Sequence, residues 1–448
     1  MKRYIAGIGL CCALAACNES YPGLYAPVYD ADNPNPEMTA DSIPVTLSLT
    51  DPAYALVTGK RGQGSFGFWD DEEERAQWMA AEFGVYAFLT RNHVYNGNPN
   101  LTADETSTGG GANLCLVNDR KARISAACEL LWADGEPPYY SAVYPEHKYN
   151  FFLYYKGDAE EYAPEQRTQG SITKFFRIDG TQDLISAYAR PGTEDAERLP
   201  DNDETKYLMN HAGDLVYSTK SARLHVEPHL RVKHEMARLN FLVQAYDTLK
   251  QQGREIRIQS VALVIPTRGQ FTVAADWAGV SHDWTDETNV PPTGISWEAT
   301  CDTVYVPNEN TPTEFGATLK RENATFDPEP GVSDPEEEPV KIGKPLLIPP
   351  IDQLGVIIHY RFLTANPEDK IPSGSIFIAK YSNLRFEGGF QSGKTHDVLL
   401  KVYGQAYCRC RDNADGSPRK IELTVDGKGL GWISGGDITV GEEEEDTN

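Results

Sequence analysis

The residue types with spacings suited to chemistry form three groups. Gly62-Gln63-Gly64-Ser65-Phe66-Gly67 fits GxGxxG, whose backbone amides can cradle phosphate. Phe68-Trp69 and then the acidic run Asp70 to Glu74 follow it, and that charge repels phosphate, so a flexible glycine joint is expected. His225, His229 and His234 stand four and five apart, which spreads them over both faces of a strand instead of round one metal. His234-Glu235-Met236-Ala237-Arg238 breaks the HExxH zinc pattern at its last position. Cys408 and Cys410 share one face of a strand-like run, without a second Cys or His pair at ligand spacing. The expectation is structural histidines, cysteines acting as small buried hydrophobes, and no metal, cofactor or catalytic residue. No GxSxG elbow, paired CxxC or Walker loop supplies a nucleophile or phosphate site, so the chain reads as a protein that is not an enzyme.

The most specific chemistry lies near the start. Lys2 and Arg3 precede an apolar run from Tyr4 to Ala16, too short to cross a bilayer and of the length of a signal-peptide core. The run ends in Leu14-Ala15-Ala16-Cys17, which resembles a bacterial lipobox with Cys17 as the lipidated residue. Doubly acylated, Cys17 would be a lasting membrane anchor. Residues 1–16 are then the signal, and 17–42, with Pro22, Pro27, Pro34 and Pro36, an extended tether.

The elements that follow are mostly strands. With 29 Pro and 38 Gly, and 23 Tyr and 16 Phe against 5 Met, the composition favours strands and turns. The net charge of −25 argues against a nucleic-acid partner, because phosphate contacts need clustered basic side chains. Ile43, Val45, Leu47 and Leu49 alternate with polar residues and Pro44, the period-two pattern of a strand with one buried face. Pro44 suggests an edge strand, since proline lacks a ladder donor. Asp70 to Phe83 reads as a short helix with an acidic first turn. Clear strand patterns follow, among them Val85–Thr90, Tyr149–Tyr155, Arg223–Val232, Met236–Ala245, Ile256–Ile265, Gly355–Phe362 and Ile421–Val425. Gly97–Asn113 and Phe326–Pro339 read as exposed insertions, and 442–448 as a solvated acidic tail. The expected fold is all-β, built of β-sandwich domains over 43–222 and 223–441.

Several segments taken in order resemble the fimbrillin superfamily, the type V pilins of Bacteroidales. They are Val85-Tyr86-Ala87-Phe88, the aromatic strand Asn150 to Tyr155, Asp183-Leu184-Ile185 with Ala187, and Leu230 to Leu239. Pro345-Leu346-Leu347-Ile348-Pro349, Phe390-Gln391-Ser392-Gly393-Lys394 and Trp432 complete the series. The resemblance implies two transthyretin-like β-sandwich domains in tandem, with short helices in the connections. It implies a surface fimbrial subunit supporting adhesion, with other fimbrial subunits, the membrane lipid at Cys17 and a host protein or glycan as partners. In that family a protease removes the first strand. The matching joint here is Gly59-Lys60-Arg61-Gly62, with cleavage between Arg61 and Gly62 and Ile43, Val45, Leu47 and Leu49 on the removable strand. A neighbour's strand then takes its place, and the candidate donor is the C-terminal region, where Ile421, Leu423 and Val425 alternate, followed by Ile438 and Val440. The alternative expectation is a glycan- or ligand-binding surface lipoprotein or a tip or anchor component, with Trp277 and Trp284 as stacking platforms.

Overall fold

The computed structural model describes residues 43–50, 72–90, 98–109, 112–126, 129–140, 147–189, 217–219, 222, 227–245, 256–276, 291–306, 318–319, 340–362, 374, 376–386, 388–402, 422–426, 433–434 and 440–441. In chain order the elements begin with β1 (Leu47–Thr50), α1 (Glu72–Ala80), β2 (Phe83–Leu89), β3 (Thr108–Gly109), β4 (Ala112–Asn113), β5 (Cys115–Ile124) and β6 (Glu129–Trp132). Next come β7 (Tyr149–Tyr155), β8 (Glu160–Arg167), β9 (Ser171–Arg177), β10 (Ile185–Ala189), β11 (His229–His234) and β12 (Ala237–Ala245). They continue with β13 (Ile256–Pro266), β14 (Arg268–Ala275), β15 (Gly294–Trp297), β16 (Cys301–Tyr305), β17 (Thr318–Leu319) and β18 (Val340–Ile348). The last are β19 (Gln353–Phe362), β20 (Ile376–Phe386), β21 (Lys394–Val402), β22 (Glu422–Asp426), β23 (Ile433–Ser434) and β24 (Val440–Gly441). The all-β expectation holds, with α1 the one helix among these elements.

Seven strands close into a barrel in the order β1, β11, β10, β7, β2, β5, β6. A four-stranded sheet runs β15, β14, β9, β8; a second sheet runs β18, β12, β21, β22, with β23 on β21; a third runs β16, β13, β19, β20, β24, with β17 on β13. β11 follows the break expected at 222/223, yet it pairs with β10 and β1 in the barrel. Beyond the same break, β14 pairs with β9. The four-stranded sheet thus draws on both halves of the chain.

Two cores explain the apolar sequence runs. β2 reads FGVYAFL and is buried along its whole length, as a strand covered on both faces must be. Its Phe83, Val85, Ala87 and Leu89 fill the barrel. Tyr86 and Phe88 point outward, into a second core with Phe152, Tyr154, Phe176 and Phe271. That second core holds the four-stranded sheet against the barrel wall.

α1 is shorter than the Asp70–Phe83 span, because Phe83 opens β2 instead of closing the helix. Trp78 enters the barrel core, 1% exposed, and stacks on Phe83 at 6.1 Å, whereas Met79 faces solvent. Gly97–Asn113 is not wholly an exposed insertion: β3 and β4 pair there, and Leu101 and Ala103 are buried in the second core. Phe326–Pro339 lies outside the described residues. Cys115 is buried as expected, but Cys301 is exposed, because β16 turns alternate residues to solvent.

Candidate assembly site

The first strand is held by its backbone and by its alternation. Val45, Leu47 and Leu49 are 1%, 1% and 5% exposed within the barrel core, and Ile43 packs partly against it. The polar residues between them turn outward: Thr46 is exposed and Ser48 half-buried. β1 runs parallel to β11, with Ser48 beside His229 and Leu49 beside Leu230. On its other flank it runs antiparallel to β6, with Leu47 opposite Leu130.

This corrects the edge position that Pro44 suggested. Pro44 forms an antiparallel bridge with Tyr139, in which the bonds run through its neighbours: Val45 N donates to Pro138 O at 2.8 Å, and Tyr140 N donates to Ile43 O at 2.9 Å. The ladder to β11 begins only at Ser48, whose N–H donates to Pro228 O at 3.1 Å. Proline is tolerated here because no bond on this ladder needs its missing donor. Two side chains lock the strand further. Trp132 Nε1 donates to Val45 O at 3.2 Å, and Ser48 Oγ lies 2.5 Å from His229 Nδ1.

The candidate donor residues fall in the C-terminal sheets. Leu423 and Val425 lie on β22, paired with Leu400 and Val398 of β21 at one end of its sheet. Val440 begins β24, which pairs with Phe386 at the end of the third sheet. Cys17, Arg61, Gly62, Ile421, Ile438, Trp277 and Trp284 lie outside the described residues. So do Cys128, His225, Cys408, Cys410 and Trp432.

Four of the segments that carry the family resemblance meet in space, at the corner between β11 and β12. His234 Nδ1 and Asp183 Oδ2 lie 2.9 Å apart with both side chains buried. Trp78 meets the His234 ring edge-on at 6.2 Å. Glu235 N donates to Leu184 O at 2.8 Å, and Ser186 Oγ donates to Glu235 Oε1 at 2.5 Å. Gly393 N donates to Met236 O at 2.8 Å, Leu347 N to Gly180 O at 2.7 Å, and Arg238 pairs in register with Leu347. These residues fasten the barrel to the C-terminal sheets. Sequence spacing alone could not have joined them, since they lie far apart along the chain.

A cluster of coupled charges also joins layers. Lys174 of β9, nearly buried, places its ammonium 3.0 Å from Asp119 Oδ2 and 2.8 Å from Glu165 Oε2. Tyr154 donates to Asp119 and Tyr86 to Glu165, each at 2.6 Å. Asp119 sits at φ 51, where β5 bulges against β2, and this turns its carboxylate towards Lys174. Burial works against ionisation of Asp119, but the Tyr154 hydroxyl and Lys174 outweigh it and hold the carboxyl below its ordinary range. Glu165 is held low in the same way, with Lys174, Tyr86 and Arg167 outweighing burial. Burial pushes the Lys174 ammonium down, and the two carboxylates more than restore it. Lys174 and the two carboxylates stabilise one another's charged forms, and the two tyrosines donate to the carboxylates as neutral hydroxyls, so the cluster is a clamp between layers.

No protein-family model matches the chain, and no curated protein does. Among solved structures it is similar to a fimbrial protein from Bacteroides vulgatus at 14% identity and TM-score 0.45, covering 87% of this chain and 99% of that one. It is also similar to the fimbrial anchor protein Mfa2 from Porphyromonas gingivalis at 12% identity and TM-score 0.31, covering 88% of this chain and 100% of that one.

Proposed function

We propose that this chain is a structural subunit of a bacterial surface fimbria, held at the membrane through Cys17 until it is processed. In this reading it is cut between Arg61 and Gly62, and the strand it loses is replaced by one from a neighbouring subunit. The single observation that carries the reading is the seat of β1, a short strand between β6 and β11 whose three inward side chains complete the barrel core. Withdrawing it would leave a slot about 9–10 Å wide, two strand spacings, lined by the unpaired backbone of both flanks. Three buried side chains are worth roughly 4.5–9 kcal/mol in total, an upper bound, so an empty slot is a strong site for another apolar strand.

Any strand with the same alternation recovers most of that stabilisation, and head-to-tail repetition of a contact that does not close yields a filament. The tandem transthyretin-like domain division, adhesion to a host protein or glycan, and the outer-membrane location belong to the same proposal. They are supported by the order of family-like segments and the lipobox-like Cys17. The test is N-terminal sequencing of the protein recovered from assembled fibres. The expected start is Gly62. Fibres made wholly of chains starting at Cys17 would contradict strand removal.

A further inference from the structure

We infer that His229 selects which strand enters the slot, by reading a hydroxyl on its outer face, and that the segment it accepts is Ile421–Val425 of a second copy. This rests on the strand-replacement reading above and adds to it the identity and register of the incoming strand. The observation is the 2.5 Å contact between Ser48 Oγ and His229 Nδ1, made across the parallel pairing of β1 with β11. It is a polar side-chain contact on the outer face, within a strand whose other anchors are backbone and apolar. Its position in the register is fixed, one residue after Leu47 and one before Leu49.

An incoming strand must therefore offer apolar residues at the places of Val45, Leu47 and Leu49, and a hydroxyl at that of Ser48. Ile421-Glu422-Leu423-Thr424-Val425 laid on Val45-Thr46-Leu47-Ser48-Leu49 meets all four conditions, with Thr424 facing His229. The other candidate segment does not. With Ile438 and Val440 at the places of Val45 and Leu47, Gly441 falls opposite His229 and offers no hydroxyl. With Thr439 opposite His229 instead, Gly436 falls at the place of Val45 and leaves the core unfilled there. Among the described residues β22 pairs with β21 alone, at the end of its sheet, so its release disturbs one described ladder.

The test uses the full chain nicked after Arg61 and a synthetic peptide spanning residues 419–427, with affinity read by fluorescence anisotropy. Thr424→Ala in the peptide is expected to weaken binding about fivefold, the net worth of one hydrogen bond. Thr424→Ser is expected to restore it, and a peptide spanning 435–441 to bind more weakly than both. Against the His229→Ala chain, the unaltered peptide and its Thr424→Ala variant are expected to bind alike. Equal binding of those two peptides to unaltered protein, or the same loss with His229→Ala, would overturn the inference while leaving strand replacement standing. Failure of every peptide to bind the nicked chain would overturn the strand-replacement reading and this inference with it. The Thr424 substitutions lie in the peptide, so they leave receptor folding untouched, and the His229→Ala arm compares two peptides on one and the same chain, whose fold is checked by circular dichroism.

Discussion

The indole Nε1 of Trp132 donates to the carbonyl of Val45 at 3.2 Å, so a core side chain of β6 also grips the backbone of the strand beside it. Trp132 is 8% exposed and belongs to the barrel core, with the Arg120 guanidinium 5.1 Å above its ring. Trp132→Phe keeps an aromatic ring and loses the bond. Seating of β1 should weaken by about 1–2 kcal/mol, one net hydrogen bond plus a small cavity. Amide exchange at Val45 and Leu47 should speed up about fivefold or more, while Leu153 in the centre of the barrel keeps its protection.

The Lys174 clamp gives a second prediction. Lys174→Met removes the cation shared by Asp119 and Glu165 and should destabilise the fold by about 2–3 kcal/mol, the lower end for a broken buried pair because both carboxylates keep some exposure. Both carboxyls are held below their ordinary pKa in the folded chain, so their stabilisation is present above the unfolded value near 4 and is lost as pH falls through the lower folded values. Urea denaturation at a series of pH values should show this acid loss in the unaltered chain and a shallower one in the variant.

His396 supplies a dependence at milder pH. It is fully buried on β21, accepts the Gln391 N–H at Nε2 at 3.4 Å, and meets the Phe390 ring edge-on at 5.2 Å. Burial first, and then Lys394, pushes its pKa down to about 4. The unfolded imidazole titrates near 6.5, so the folded state prefers the neutral ring. This stabilisation is complete above pH 6.5 and is lost as pH falls towards 4, by about 3 kcal/mol in all. His396→Gln should flatten the stability profile across that window, as read from urea midpoints.

How much of this was legible in the sequence depended on the environment each residue meets. Tyr149–Tyr155 announces itself because aromatic residues fill both of its faces, and β7 has those bounds. β5 and β8 did not, since Asn118 to Lys121 are polar and Glu160 to Arg167 is charged at both ends with Pro164 inside it: they sit at a bulge and on an outer sheet, where ion pairs help set the pattern. Pro44 misled because its effect depends on which ladder its nitrogen faces, and that is set by where β11 begins. The alternation of Val45, Leu47 and Leu49 was legible, and their burial follows it. The Asp183–His234 pair was not, because 51 residues separate its members and only the barrel brings them together.

Strand replacement is tested most directly by mixing two batches of the full chain carrying different fluorophores, nicking both after Arg61, and separating the products by gel without boiling. The account predicts that the fragment bearing Val45, Leu47 and Leu49 leaves, and that ladders carrying both colours form only after the cut. If the fragment is released and the chains remain monomeric, or if ladders form equally well without the cut, β1 is an ordinary strand of its own barrel and the assembly reading is wrong.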